Sequence, residues 1–190
     1  TEKRLDDLII VISEKAEEYK NVPTMAFTHI QPAEITTIGY RLSQTLQDLL
    51  DDREQLVFVK KSIRGKGMKG AVGTAASYKE LLSESDISSL DMEKMVMDEL
   101  GIKAYDAATQ IYSRKQDLRI IEALSSIACT LHKFSLDFRI LQSPPIGEFS
   151  EPFGKMQVGS SAMPFKRNPI NSEKIDSLSR IVENAYQSAW

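Results

Sequence analysis

The stretch Ser113–Ser143, SRKQDLRIIEALSSIACTLHKFSLDFRILQS, decides the fold because it contains neither glycine nor proline. Without these two helix breakers the stretch can form one continuous helix, which at about 1.5 Å per residue would be roughly 40 Å long or more. Ser113 and Gln116 have the spacing of a capping box, which predicts the start of the helix, and Pro144-Pro145 predicts its end. A helix of this length is typical of proteins built from long helices.

Helical patterns recur along the rest of the chain. Apolar residues at helical spacing predict a helix over about the first 20 residues, closed by Asn21-Val22-Pro23. We predict three more helices: one from about Ile35 to Ile63, one over 90–100 with Ser89 as N-cap and Gly101 after it, and one starting near Asn168-Pro169 or Asn171-Ser172. Residues 24–37 are rich in threonine and are predicted to be a loop. The predicted fold class is all-α, a long-helix bundle.

Composition limits the classes of partner. A formal net charge of −3 argues against a nucleic-acid-binding surface over the whole chain. No stretch is apolar enough for long enough to cross a bilayer, so we expect no membrane partner. A single cysteine excludes an internal disulfide and indicates a reducing compartment, and we expect a cytoplasmic protein. The sequence starts and stops inside helical patterns, so we expect a domain truncated at both ends.

Three local features have ordinary structural interpretations. Residues 65–70, GKGMKG, match the dinucleotide-binding pattern G-x-G-x-x-G. That pattern requires a preceding strand, and a helix is predicted there, so we interpret the glycines as a turn between helices. Cys129, with Ile127 and Leu131 beside it, is interpreted as a packed, unreactive thiol. His132 is interpreted as a histidine at the surface or at the edge of the core.

The stretch Val158–Ile175, VGSSAMPFKRNPINSEKI, is the strongest candidate for a functional site. Two interpretations are open. One is a surface loop that caps a helix, with Asn168 as N-cap and Pro169 at the first helical position. The other is a mobile Gly-Ser segment that closes over an anion at a helix N-terminus, because two hydroxyls, a cation and an amide lie within a few residues of one another.

His29 is a second candidate. It lies in the threonine-rich segment between Thr28 and Gln31, outside the predicted helices. Irregular segments carry catalytic groups more often than helix interiors do. Because an imidazole has an ordinary pKa near 6.5, it can donate or accept a proton at neutral pH.

Residues 159–173, GSSAMPFKRNPINSE, resemble the signature of the fumarase/aspartase superfamily, G-S-S-x-M-P-x-K-x-N-x-x-x-x-E, at every fixed position. Residues 28–39, THIQPAEITTIG, are similar to an earlier region of the same superfamily. The stretches at 69–77, 108–115 and 151–164 are similar to its adenylosuccinate lyase branch. The resemblance covers essentially the whole chain and implies the central helical domain of that fold, with the N-terminal and C-terminal domains absent.

The resemblance implies a lyase that cleaves a C–N bond by β-elimination and releases fumarate, without a metal or an organic cofactor. The implied substrates are adenylosuccinate, which gives AMP, and the succinyl-carboxamide ribotide of purine biosynthesis. The resemblance also implies a homotetramer whose active sites combine residues from different subunits. A chain that lacks the flanking domains would then be inactive by itself.

The resemblance also implies roles for individual residues. Ser160 matches the general base that removes the Cβ proton, His29 matches the acid that protonates the departing nitrogen, and Glu173 matches a carboxylate that pairs with a catalytic histidine. The other matched positions hold the substrate or its developing charge: Thr28, Gln110, Ser161, Met163, Lys166, Asn168 and Lys174, the last standing where animal-type members have arginine.

Other functions also fit the sequence. Argininosuccinate lyase and the carboxymuconate cycloisomerases share the signature. A catalytically idle helical oligomer is an alternative of a different class, which replacement of Ser160, His29 or Lys166 would favour, and all three are present. A nucleotide-binding module without catalysis is the remaining alternative.

Overall fold

Long helices make up most of the structure. The computed structural model describes residues 1–154 and 156–189. Within them lie the helices α1 (Glu2–Glu18), α2 (Ile38–Ser62), α3 (Ala76–Leu81), α4 (Ser89–Glu99), α5 (Lys115–Leu141) and α6 (Ile170–Ser188). The lengths of α2 and α5, 25 and 27 residues, confirm the two long helices predicted from the sequence. The fold class is all-α, as predicted, although the six residues of α3 had not been predicted as a helix.

The segment predicted to be a loop is a β-hairpin, so that prediction was wrong. Strands β1 (Pro23–Thr28) and β2 (Gln31–Thr37) pair antiparallel. The two residues that join them, His29 and Ile30, have φ angles of +52° and +61°. A two-residue turn with positive φ at both positions is of type I′, whose backbone twist matches that of the strands it joins. His29 therefore lies at the tip of a hairpin.

The starts of two helices also differ from the prediction. Helix α4 has Ser88, not Ser89, as its N-cap, and Ser88 forms a capping box with Asp91. At the start of α5, the Gln116 side chain does not reach back to Ser113. Its oxygen accepts from the Arg64 backbone N–H at 2.7 Å and its nitrogen donates to the Arg64 carbonyl at 3.1 Å. The capping box predicted at Ser113 was therefore wrong.

Residues 1–57 and the chain from residue 121 onward form one compact unit. Its core lies where α1, α2 and α5 meet, and its buried members are Leu5, Ile12, Leu42, Leu49 and Ile127. Leu49 has no exposed surface. Burying a side chain of this size contributes roughly 1.5–3 kcal/mol to the stability of the fold. The cluster therefore holds α1 and α2, which flank the hairpin, against α5.

Residues 58–120 form a second unit. Strand β3 (Arg64–Gly65) pairs in parallel with β4 (Lys103–Ala104). The glycine-rich stretch that follows β3 turns the chain, as predicted, with positive φ at Gly67, Gly70 and Gly73. Within this turn Lys69 is buried, and its ammonium lies 2.6 Å from the Glu93 carboxylate on α4.

The interpretation of Cys129 as a packed thiol was wrong, because the side chain is exposed. Residues two positions apart on a helix lie roughly 200° apart, so Ile127 and Leu131 face away from Cys129. His132 lies at the edge of the core, as predicted, with 28% of its side chain exposed. Its Nδ1 is 3.2 Å from the Asp176 carboxylate on α6, although it is not aligned for a hydrogen bond.

Candidate active site

Ser160 lies in the irregular segment between α5 and α6, and two backbone groups point at its hydroxyl. Ser160 Oγ accepts a hydrogen bond from the Met163 N–H at 3.2 Å and one from the Ala162 N–H at 3.4 Å. Hydrogen bonds donated to an oxygen favour its negatively charged form. The local fold therefore favours negative charge on Ser160 Oγ, the oxygen that the family resemblance implies to be the general base.

The segment around Ser160 folds back on itself. The side-chain nitrogen of Asn168 donates to the Gly159 carbonyl at 2.8 Å, and the Lys166 N–H donates to the Met163 carbonyl at 3.0 Å. Gly159 has no room for a side chain, because a Cβ there would lie 2.2 Å from the Lys166 carbonyl oxygen. Because the backbone at position 159 lies this close to the backbone of Lys166, only glycine fits there.

The ends of the segment are fixed by a buried carboxylate. Glu151 is 8% exposed and accepts four hydrogen bonds from the start of α6. Two come from the backbone and hydroxyl of Ser172, both at 2.7 Å, and two from the backbone and side-chain amide of Asn171, both at 3.1 Å. Burial raises the pKa of Glu151, but these hydrogen bonds outweigh it and leave the pKa below its ordinary value.

Helix α6 begins at Ile170, between the two starts that the sequence allowed. Glu173 lies in its first turn, where the positive end of the helix dipole favours a carboxylate, and Lys174 follows it. Both side chains are exposed. The other predicted contacts in this region, Ser161, Met163 and Lys166, are exposed as well, so the predicted substrate-binding groups face solvent.

His29 and Thr28 are exposed at the tip of the hairpin, and the base of the hairpin is anchored. Arg41 on α2 donates to the Met25 carbonyl at 2.5 Å. Arg41 and Thr24 both donate to the carboxylate of Glu148, which lies after the end of α5. Only about a fifth of the Arg41 and Glu148 side chains is exposed, 18% and 21%. The hairpin that carries His29 is thus tied to α2 and to the segment that follows α5.

The predicted site residues fall into three groups. Ser160, Ser161, Met163, Lys166, Asn168, Glu173 and Lys174 lie in the segment before α6 and in its first turns, while Thr28 and His29 lie at the hairpin tip. Among the described residues no hydrogen bond or ion pair joins these two groups. Gln110 is exposed and belongs to the second unit.

The described residues contain neither a metal-binding cluster nor a membrane-spanning helix. No group of three or more histidine, cysteine, aspartate or glutamate side chains in this part of the chain is placed to hold a metal ion. No helix among residues 1–154 and 156–189 has the length and hydropathy needed to span a membrane.

The match to a family model decides the class of protein. The family described as Lyase matches residues 1–183. This chain belongs to that lyase family. The match includes the hairpin, the Ser160 segment and most of α6, so the geometry described above is that of a lyase family member.

Two similar proteins are both named adenylosuccinate lyase. Adenylosuccinate lyase of Saccharomyces cerevisiae is 37% identical over 187 residues, which cover 98% of this chain and 38% of the relative. Adenylosuccinate lyase of Schistosoma mansoni is 42% identical over 171 residues, which cover 89% of this chain and 35% of the relative. The chain thus spans well under half the length of the curated relatives it matches.

Solved structures share the fold. The crystal structure of the 3-carboxy-cis,cis-muconate lactonizing enzyme from Pseudomonas putida matches with a TM-score of 0.83 at 23% identity, over 98% of this chain and 40% of that one. An identity this low shows the fold alone. The likeness agrees with the all-α, long-helix architecture of this lyase.

Sequence reasoning missed the residues that hold the site together. Glu151 bonds to residues 20 and 21 positions further on, and Arg41 bonds to Glu148, 107 positions away. Local patterns of three or four residues do not report such contacts. The one available signal was the Asn-Ser pair at 171–172, which is typical of helix starts.

Proposed function

We propose that this chain is the central helical part of a longer lyase that cleaves a C–N bond by β-elimination and releases fumarate. Membership of the lyase family supports the reaction class. The observation that carries the proposal is the geometry at Ser160, whose Oγ receives two backbone N–H groups within the signature segment. Such hydrogen bonds favour the ionised form in which a serine acts as a base.

The proposed substrate is adenylosuccinate, which gives AMP and fumarate, together with the succinyl-carboxamide ribotide of purine biosynthesis. Support comes from the relatives named adenylosuccinate lyase, which match this chain from end to end or nearly so. A purine nucleotide substrate requires no nucleic-acid surface, which suits the net charge of −3.

In the proposed reaction, Ser160 Oγ as an alkoxide takes the proton from the carbon next to a carboxylate. The electron pair of that C–H bond moves into the adjacent carboxylate and gives a dianionic intermediate. The pair then returns to form the carbon–carbon double bond of fumarate while the C–N bond breaks. The departing nitrogen takes a proton from the imidazolium of His29. Positioned acid and base groups of this kind typically contribute about 10²–10⁴-fold each to the rate.

Further groups bind and stabilise charge in this proposal. Lys166 and the backbone N–H of Ser161 stabilise the dianionic intermediate by preorganised electrostatics, while the N–H groups of Ala162 and Met163 serve Ser160 Oγ. Thr28 and Gln110 hold the substrate, and Lys174 adds a positive charge without the bidentate geometry of arginine. Glu173 orients a histidine supplied by another part of the protein. Asn168 holds the loop through Gly159, and this contact keeps the anion-binding groups together.

We also propose that the protein is a homotetramer with active sites shared between subunits. Helix α6 supports this because its apolar side chains face outward. It buries Ser172, Asp176 and Ser179 and exposes Leu178 and Ile181 by 61% and 65%. An apolar helix face of this kind is typical of a subunit contact. The proposed location is the cytoplasm, in keeping with a single, unpaired cysteine.

The proposed function is tested by assaying fumarate release from adenylosuccinate by the full-length protein, with argininosuccinate as the comparison substrate. We expect fumarate and AMP from adenylosuccinate and no fumarate from argininosuccinate. Release from argininosuccinate alone would move the protein to another lyase specificity. If neither substrate yields fumarate, the lyase proposal is wrong and the non-catalytic oligomer is favoured.

A further inference from the structure

One carboxylate joins the two ends of the segment that carries Ser160. Glu151 is the residue immediately before the segment, and its hydrogen-bond partners Asn171 and Ser172 lie just after it, in the first turn of α6. The intervening residues that the structure describes, 152–154 and 156–169, therefore lie in a loop that side-chain contacts close at its base.

The contact is stronger than an ordinary surface hydrogen bond. Both oxygens of the Glu151 carboxylate are used, Oε1 by Ser172 and Oε2 by Asn171. The donors include backbone N–H groups of the first turn of α6, where the helix dipole favours negative charge. Hydrogen bonds to an ionised acceptor are about twice as strong as those between neutral groups. The Glu151 side chain is also buried, which limits competition from water.

Gln142, just past the end of α5, adds a second contact at the base of the loop. Its side-chain oxygen accepts from the Glu151 N–H at 2.9 Å. Its side-chain nitrogen donates to the carbonyl of Arg167, inside the loop, at 3.0 Å. Gln142 therefore connects the end of α5 with both Glu151 and the later part of the Ser160 segment.

We propose that Glu151 is a positioning residue for the lyase reaction: it fixes the two ends of the loop between Glu151 and α6 and so determines where Ser160 Oγ is held. The effect on turnover rests on the proposed function, whereas the effect on the loop does not. A displacement of about 1 Å at a reacting group can cost about a hundredfold in rate. Glu151 thus acts on turnover through Ser160, without contacting the substrate.

Asp52 offers a matched control. It is 5% exposed, lies in the same unit, and its carboxylate accepts hydroxyl hydrogen bonds from Ser126 at 2.6 Å and Thr130 at 2.7 Å. These contacts join α2 to α5 and do not touch the loop. Replacement of Asp52 therefore reports the general cost of losing a buried carboxylate, apart from any effect on Ser160.

The test compares Glu151→Gln with Asp52→Asn in the full-length protein. Glutamine keeps the shape of the side chain but replaces one acceptor oxygen with an NH₂ group that faces donors. Amide hydrogen exchange followed by mass spectrometry should show faster exchange in peptides from the loop between Glu151 and α6 for Glu151→Gln and no change there for Asp52→Asn. At a temperature where all proteins are folded, kcat for fumarate release should fall by about a hundredfold only in Glu151→Gln.

Gln142→Leu is the second variant, in case Glu151→Gln does not fold, and it should change loop exchange and kcat in the same direction. The proposal is overturned if loop exchange and kcat stay at wild-type values in the folded Glu151 or Gln142 variant, or if Asp52→Asn changes both equally. If the wild-type protein releases no fumarate, the proposed function fails, and the exchange data alone decide whether Glu151 holds the loop.

Discussion

The side-chain nitrogen of Asn168 lies 2.8 Å from the carbonyl oxygen of Gly159, so a hydrogen bond joins the two sides of the loop that carries Ser160. This contact gives Asn168 a structural task within its own chain. It also helps the loop keep a defined shape, although the described residues of the loop form no helix or strand. The groups around Ser160 are held by the loop itself before any substrate binds.

Replacing Gly159 with alanine should disrupt this loop. A Cβ at Gly159 would lie 2.2 Å from the Lys166 carbonyl oxygen and 2.9 Å from the Phe153 ring, so the backbone would have to move. We expect Gly159→Ala to lower kcat by about a hundredfold through displacement of Ser160, as measured by fumarate release. Gly154→Ala is the control, because a Cβ there meets nothing nearer than the Gln157 side chain at 3.9 Å. Equal activity of the two variants would refute the steric argument.

Ile30 should be a site of stored strain. A β-branched residue at φ +61° is in a left-handed conformation that costs roughly 1–2 kcal/mol. Ile30→Gly is therefore expected to raise the free energy of unfolding by about 1 kcal/mol in urea titrations. The control Ile35→Gly replaces an exposed residue of β2 without positive φ and should lower stability. A loss of stability in Ile30→Gly would contradict this account of the turn.

The Arg41–Glu148 pair should contribute to holding the His29 hairpin. Both side chains are mostly buried, so removal of one leaves the other without its charge partner. A double-mutant cycle with Arg41→Ala and Glu148→Ala should give a coupling energy of about 1–3 kcal/mol in unfolding experiments. The half-exposed pair Lys15–Glu18 is the comparison and should couple less. A smaller coupling for Arg41–Glu148 than for Lys15–Glu18 would count against the anchor.

The contribution of Glu151 to stability should depend on pH. The folded-state pKa lies below the ordinary value of 4.5, so the carboxylate contacts stabilise the fold fully above that pH. As the pH falls below 4.5 toward the folded-state pKa, this contribution is lost. The excess stability of wild type over Glu151→Gln, from urea unfolding at several pH values, should shrink on acidification. An excess that is constant or grows in acid would show that the pKa is not depressed.

The longest helix could be predicted because its stretch contains no glycine or proline and is closed by Pro144-Pro145, which are local signals. Whether a given helical side chain is buried or exposed was harder to predict. Cys129 shows why, because its apolar neighbours two residues away lie on the opposite side of the helix. The hairpin was missed because its turn is His29-Ile30 and lacks the asparagine and glycine that usually mark a type I′ turn. Tertiary contacts with Arg41 and Glu148 hold the hairpin, and such contacts cannot be predicted from a local sequence pattern.

The candidate site could be predicted only as a set of chemical groups. The signature segment identified Ser160 and its neighbours, but not the backbone N–H groups that point at its hydroxyl. Gln116 matched a capping pattern and yet bonds to Arg64, because a contact distant in sequence provided better partners for its amide. For the same reason Glu151 had no signal of its own, although its partners follow the loop directly.

The central claim is that Ser160 is the base of a C–N lyase, and the turnover of Ser160→Ala in the full-length protein tests it most directly. Ser177→Ala, which removes an exposed α6 hydroxyl bonded to the Glu173 carbonyl, is the control. We predict that Ser160→Ala lowers kcat for fumarate release from adenylosuccinate by at least about a hundredfold while the fold is kept, and that Ser177→Ala does not. Near-wild-type turnover in Ser160→Ala would contradict the claim.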